Sequence, residues 1–323
     1  MKPLIRKSHQ PDKPVPIALT ASRINFKLRQ LELLSALAEA GTLRGAAEHI
    51  HVSQPGATRL LHELEKMLGV PLFIRNKGRM QVTAAGEVMI AHATTLQNRM
   101  VNAYTETQEA ASGGSGKLRL GIFGSMDPEF LSRSLVSLRA RLPRLQISIT
   151  EAPQDVLVGA VRRCELDAAI GRLASNQHEG SLRYDVIYTE VFSVICSIGN
   201  PLARRRRPPS LEALLQAQWI LPPPDTLLRQ RFDAYFMTQI GRKPPAAIES
   251  LSLLGYVSLL QDANIIGLLS SRVARFFAQH KAFHVVIPAF GDIISPVALI
   301  TRLDTAAQPA TTALRHAIET SQR

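Results

Sequence analysis

The sequence predicts an α/β protein, with an all-α-rich winged helix-turn-helix at its N-terminus and a larger two-lobed α/β domain behind it. Three observations predict this. Capping hydroxyls at Thr42 and Ser53 precede two short helical runs, with small Ala46 and Ala47 where those helices would cross; Ser112 to Gly116 forms a Gly-Ser linker; and beyond it strand-like and helical runs alternate.

Composition bounds the function classes. A chain of 323 residues has room for two or three domains of ~100–200 residues each. It is 46% hydrophobic and 20% charged, a globular balance, and its formal charge of +12 favours a polyanionic partner. That charge is spread, with 14 basic and 9 acidic residues up to Ala111 and 24 and 17 after it. The case for nucleic acid therefore rests on motif geometry. The longest uncharged run, thirteen residues from Val191 to Ala203, falls short of the ~18–20 apolar residues that span a bilayer, so no membrane partner is expected. Lys2, Arg6 and Lys7 could open a signal peptide, but Pro11, Asp12, Lys13, Pro14 and Pro16 occupy the place of its apolar core. A cytoplasmic location is expected. Two cysteines, Cys164 and Cys196, supply neither a disulfide framework nor a metal site.

Residues 1–24 are Pro-rich and basic without apolar periodicity, and read as a flexible tail. The next domain spans 25–83. Leu28, Leu31, Leu34 and Ala38 recur at helical spacing, and Gly41 stands where a C-terminal cap would. Thr42 caps a second helix with Leu43, Ala46, Ala47 and Ile50 as its buried stripe. Val52 fills a tight turn. Ser53 caps a third helix, Pro55 fits its first turn, Leu60, Leu61, Leu64 and Met67 give its inner face, and Gly69 ends it. Val70 to Phe73 and Met80 to Val82 read as strands flanking a loop from Arg75 to Arg79, in which Gly78 permits the turn: a wing. Thr83 starts a linker helix, residues 84–111. Its Met89, Ala93, Leu96, Met100 and Ala103 alternate spacings of four and three, the seam of a coiled coil, so it is expected to pair two chains.

Residues 112–117 read as a hinge. In the remaining domain, 118–323, strands at Leu118 to Phe123, Gln146 to Thr150 and Ala168 to Gly171 alternate with helices at Pro128 to Arg141 and Asp155 to Arg163, which argues for a parallel sheet covered by helices. Val191 to Ile198, then Asn200, Pro201 and the run Arg204 to Arg207, read as the exit from a first lobe (about 118–199 and 291–323) into a second (about 200–290). Val297 to Thr301 and a terminal helix from Thr311 to Thr320 complete the first lobe.

A helix fits the major groove, and its first turns present side chains to base edges and phosphates. Gln54, Thr58 and Arg59 lie on that leading surface, Gln54 suited to adenine and Arg59 to guanine or phosphate. The caps Thr42 and Ser53, Pro55, and the wing cations Arg75, Lys77 and Arg79 would hold the backbone or enter the minor groove. Any one cation alone reads as a solvated charge. Together with capped helices and a wing, they make double-stranded DNA the expected partner.

In the second domain Gly124, Ser125 and Met126 follow an apolar strand and precede a helix, where hydroxyl and amides can hold an oxygen-rich ligand; helix capping alone would equally explain Ser125. Ala152, Pro153 and Gln154 follow the next strand, and the loop bearing Pro223 and Pro224 follows Leu221. These loops are expected to face one another across a cleft. Arg172 could serve a carboxylate but reads as a surface charge. His49, His51 and His62 sit on separate elements, so neither metal nor cofactor is expected. No Gly-x-Ser-x-Gly elbow or Walker loop occurs, and Ser125 has no base at readable spacing. A plain solute-binding protein without a DNA role and a serine-dependent enzyme stand as the alternatives.

The stretches Leu28 to Leu31, Ala46 to Glu48, Val52 to Pro55, Leu64-Glu65, Leu68 to Phe73, Arg75, Val82-Thr83 and Ala85 to Glu87 together resemble the N-terminal signature of LysR-type transcriptional regulators, while Gly56 and Thr58 depart from it. The remainder is similar, by order of elements, to that family's effector domain and to type II periplasmic binding proteins. The resemblance implies a promoter-binding regulator that is not an enzyme, forms a homodimer or homotetramer, and responds to a small molecule in the cleft. Leu221 to Pro224 and Ser252 to Tyr256 look like the galactose-binding-protein-regulator branch. That implies a sugar as effector, with small organic acids, aromatic ones above all, as the competing class.

Overall fold

The computed structural model describes residues 25–76, 78–111, 116–173, 180–261, 264–305 and 308–322. The expected tail, Lys77 of the wing and Ser112 to Ser115 of the expected hinge lie outside them. The chain divides into two units, Met1–Gln97 and Asn98–Arg323.

In the first unit, α1 (Leu28–Ala40) buries Leu31, Leu33, Leu34 and Leu37 and ends at Gly41, whose φ of 66° lets its N–H reach the Leu37 carbonyl at 3.0 Å. Helix α2 (Leu43–His49) is capped by the Thr42 hydroxyl, which accepts the Gly45 N–H at 3.2 Å; Ala46 and Ala47 are buried. The turn that follows places His51 at φ 56° and returns the Val52 N–H to the Ala47 carbonyl at 2.9 Å. Ser53 caps α3 (Gln54–Leu68) through the Gly56 N–H at 3.2 Å, and Ala57, Leu61 and Leu64 form its buried side. Met67, expected on that side, is exposed, because Leu68 takes the inward place one turn after Leu64.

The wing is tighter than expected. Strand β1 (Phe73–Asn76) pairs antiparallel with β2 (Arg79–Val82), the register running up to Asn76 opposite Arg79, and Gly78 between them takes φ 83°. Arg75 therefore belongs to a strand, not to the loop. The pairing cannot begin at Val70 because the Leu72 and Phe73 amides are taken by the Glu65 carboxylate at 2.7 and 3.2 Å. Thr83 donates to the Pro71 carbonyl at 2.8 Å and accepts the Gly86 N–H at 3.0 Å, starting α4 (Ala84–Ala111). Gly86 is required there: a methyl group at that position would run into the Leu72 carbonyl oxygen. Helix α4 packs Met89, Ile90 and Ala93 on the core of the unit and leaves Leu96 (42%) and Met100 (53%) exposed.

The boundary between the units falls inside α4, not in the expected hinge at 112–117. The cause is polar. Asn98 Nδ2 donates to the Arg163 carbonyl at 2.7 Å, Asn102 Nδ2 to the Cys164 carbonyl at 3.0 Å, and Arg99 pairs with Asp304. The last turns of α4 thus belong to the second unit.

That unit continues with β3 (Lys117–Ile122), α5 (Pro128–Arg141), β4 (Gln146–Glu151), α6 (Gln154–Arg162), β5 (Ala168–Arg172) and β6 (Leu182–Cys196). A 3-10 turn (Pro201–Arg204) leads to α7 (Leu211–Leu215), β7 (Gln218–Leu221), α8 (Leu227–Ile240), β8 (Ala246–Glu249), α9 (Leu253–Leu259), β9 (Ile265–Ser270), α10 (Ser271–Gln279) and β10 (His284–Ile287). β11 (Ile294–Arg302) and α11 (Pro309–Ser321) close the chain. The strands run β4-β3-β5-β11-β6-β9-β7-β8, with β10 also on β6. β3 is parallel to β4 and β5, and β7 to β8 and β9, as buried βαβ segments require.

Strand β6 joins the lobes. Leu182 to Val191 pair with β11, whereas Phe192 to Cys196 pair with β9. The outward crossing thus lies at Val191/Phe192, earlier than the expected boundary at 199, because one uninterrupted strand serves both sheets. Leu118, Phe130, Leu157 and Leu314 anchor the core of lobe I; Phe192, Trp219, Phe232 and Phe236 anchor one core of lobe II, with Phe290 and Ile293 packed on it before the chain returns along β11.

Candidate functional site

Two surfaces hold the residues singled out in the sequence, one in each unit. On α3, Gln54, Pro55, Thr58 and Arg59 are exposed while Leu61 and Leu64 are buried. The hydroxyls of Thr42 and Ser53 are engaged as caps, and Thr58 Oγ1 donates back to the Gln54 carbonyl at 3.0 Å. Arg59 is 80% exposed, its Nε 3.7 Å from Glu63. The Lys27 ammonium, 2.8 Å from the Glu63 carboxylate, holds that carboxyl below its usual range and supplies it with a counterion, which leaves Arg59 able to turn outward. Arg75 and Arg79 are exposed on the wing strands. Arg29 escaped notice in the sequence: its guanidinium donates to the Ile50 carbonyl at 2.7 Å and ties α1 to the end of α2.

In the second unit a cavity of about 750 Å³ opens between the lobes. From lobe I, the loops after β3 and β4 bring Gly124, Ser125, Ala152, Pro153 and Gln154 to its wall. From lobe II come Pro222 and Thr226 among others; Pro223 and Pro224, expected here, do not line it. The Pro223 carbonyl instead accepts from the Thr226 hydroxyl at 2.7 Å, which turns this part of the loop away. Met126, also expected, is buried in the lobe I core. Ser125 is not a helix cap; Asp127 is, accepting the Glu129 N–H at 3.0 Å.

Arg172 organises the lobe I wall, contrary to its reading as a surface charge. Its Nε donates to Glu190 at 2.7 Å, its Nη2 to Ser125 Oγ at 3.1 Å, and its guanidinium lies 4.3 Å from the centre of the Phe123 ring. The Arg172 side chain is 17% exposed and that of Glu190 0%. Gln154 Oε1 accepts the Arg172 N–H at 3.1 Å, in space that Gly171 leaves open; a side chain there would strike the Gln154 amide. Gln154 Nε2 and, on the lobe II wall, Ser270 Oγ are buried without a hydrogen-bond partner, as is Glu190 Oε1 behind Arg172. Such atoms carry the cost of desolvation until a ligand or water meets them. Ser125 Oγ accepts from a guanidinium, a group that cannot take its proton. Burial pushes the Cys196 thiol up to about 11. Among the described residues no cluster of His, Cys, Asp and Glu could hold a metal ion, and no helix is long and apolar enough to cross a membrane.

Residues 28–87 match the family described as bacterial regulatory helix-turn-helix protein, lysR family, and residues 111–323 match the LysR substrate binding domain. This chain belongs to the LysR family. Its similarity to the HTH-type transcriptional regulator GbpR of Azospirillum brasilense reaches 32% identity over 272 residues, covering 81% of this chain and 80% of that one. It is also 24% identical to PcaQ of Agrobacterium fabrum, over 87% of this chain and 90% of PcaQ. Among solved structures, CbnR complexed with its target DNA aligns with a TM-score of 0.65 at 20% identity, over 92% of this chain and 100% of that one. Full-length OxyR from Pseudomonas aeruginosa gives 0.62 at 22%, over 92% and 95%. As a LysR-family member the chain is a DNA-binding transcriptional regulator. The helix-turn-helix match sets aside the plain solute-binding protein.

In this LysR-family effector domain the Arg172–Glu190 pair is a liability when broken. Removing one partner of a buried pair costs about 3–5 kcal/mol because the other charge is left uncompensated, whereas replacing both by apolar groups is often neutral. Arg172→Met is therefore expected to destabilise the effector domain by about that much, and the double variant Arg172→Met, Glu190→Met to recover most of the loss. Urea denaturation of both variants decides it; a single variant as stable as wild type would show that the pair is solvated.

Proposed function

We propose that this LysR-family regulator works in the cytoplasm as a homo-oligomer, reads its operator with the outer face of α3 and the wing, and is switched by a neutral, polyhydroxylated small molecule, a sugar, held between the lobes. The observation that carries the effector class is the make-up of the cleft wall. Among the described residues Arg172 is the one cation in the lining and Glu190 already neutralises it, while Glu151, Asp155 and Asp225 add carboxylates. An organic acid would meet net negative charge there. A sugar would meet acceptors on these carboxylates, donors on Ser125 and Gln154, and the buried Ser270 hydroxyl, which matches alternating hydroxyl groups. The resemblance of Leu221 to Pro224 and Ser252 to Tyr256 to a sugar-responsive branch agrees with this.

On DNA, Gln54, Thr58 and Arg59 face base edges and Arg75, Lys77 and Arg79 the backbone. The exposed apolar side chains of α4, Leu96 and Met100, form the seam to a second chain. The ligand alters DNA binding by favouring one arrangement of the lobes over another, since equal affinity for both would shift nothing. No catalytic step is part of this function.

Arg59→Ala is expected to weaken specific DNA binding by about 1–3 kcal/mol at fixed salt with an unchanged thermal melt; unaltered affinity would remove Arg59 from the interface. Light scattering should find Leu96→Lys, Met100→Lys in a smaller assembly than wild type, and an identical mass would exclude α4 as the pairing element. In a thermal-shift series, galactose-type sugars should raise the melting temperature of wild type more than aromatic acids do, and less in Ser125→Ala. Ligand at about a hundred times its Kd adds ~2.7 kcal/mol to the folded state. Stabilisation by acids alone would reverse the assignment, and equal shifts in wild type and variant would move the site away from Ser125.

A further inference from the structure

Four consecutive arginines, Arg204 to Arg207, project from lobe II away from any role described above, and all four are exposed. None forms an ion pair among the described residues. Elsewhere in the same unit Arg119, Arg163, Arg172, Arg183, Arg229 and Arg272 each hold a carboxylate. Like charges in sequence repel one another, so four adjacent arginines without a carboxylate partner are kept at a cost. Beyond Ala111 the chain has 24 basic and 17 acidic residues, and these four arginines make up more than half of that surplus.

The run is held at both ends. Before it, the buried Asn200 accepts the Leu202 N–H at 2.9 Å, and Leu202 and Ala203 pack on the lobe II core. After it, Pro209 is buried and Ser210 caps α7 through the Ala213 N–H at 3.2 Å. The guanidinium groups thus extend from a fixed backbone, which lowers the ordering cost of binding. Their surroundings select the partner. No aromatic residue lies between Phe192 and Trp219 in the sequence, and both of these are buried, so the run carries no aromatic anchor of its own for a protein interface. Arginine forks match phosphate oxygens two at a time, and a duplex presents one phosphate about every 1.7 Å of its axis.

We propose that Arg204 to Arg207 form a second, sequence-independent DNA contact, made by the effector domain to the phosphate backbone. It rests on the chain being a DNA-binding regulator: a duplex already held by the N-terminal unit raises the effective concentration of phosphates at the patch. The test uses the full chain and fluorescently labelled random-sequence duplexes, one of about operator length and one several times longer, titrated over a series of NaCl concentrations. Each lost phosphate contact reduces the steepness of log K against log salt by about 0.9. Changing all four arginines to Gln should make the slope on the longer duplex shallower by roughly 2 to 4, while changing all four to Lys should keep the wild-type slope. Equal slopes for wild type and the Gln variant overturn the proposal. So do equal slopes combined with lost promoter response in cells, which would assign the patch to an acidic protein instead. If wild type bound neither duplex, the DNA reading itself would fail and the proposal with it.

Discussion

The effector domain depends on one buried ion pair. Glu190 sits on β6 just before the strand leaves lobe I, and Arg172 ends β5, so their contact at 2.7 Å lies where the two sheets part company. Through it Arg172 orders Ser125, receives Gln154 on its backbone and rests on Phe123. A pair this buried contributes little net stability when intact, but breaking it is costly, so the contact holds Arg172 in place on the wall.

A second tie spans the lobes. Asp127, the cap of α5 in lobe I, lies 3.4 Å from Arg272 on α10 in lobe II, and the Arg272 guanidinium stands 4.4 Å from the centre of the Tyr188 ring. Burial and the neighbouring Glu190 and Asp127 carboxylates push the Tyr188 phenol well above its ordinary range. Arg172–Glu190 and Asp127–Arg272 therefore share one electrostatic neighbourhood around Tyr188.

The N-terminal unit was legible in the sequence because its signals are local. Thr42 and Ser53 each cap through an amide three residues on, and Gly41 and Gly69 take the positive φ that ends a helix. The wing strands are shorter than their apolar pattern because the competitor for the first amides, Glu65, lies seven and eight residues away on another element. The cleft was legible only where loops follow strands. Arg172 could not be placed, since its partners Glu190 and Ser125 lie 18 and 47 positions away and no periodicity links them. Asp127 displaced Ser125 as the cap of α5 by the same kind of contest, between two side chains both able to take the role.

Because β6 runs unbroken through both sheets, holding Val191 against Ile294 on one side and Phe192 against Ser270 on the next, the lobes share a ladder whose rungs are backbone hydrogen bonds. Sliding one lobe past the other would break that ladder a whole residue at a time and would turn every buried side chain of the strand to the wrong face. Twisting the strand about its own axis keeps those rungs. The ladder thus disfavours sliding and leaves rotation as the softer motion between the lobes, near the Val191–Phe192 crossing where the returning chain also bonds, the Phe290 N–H donating to the Phe192 carbonyl at 2.7 Å.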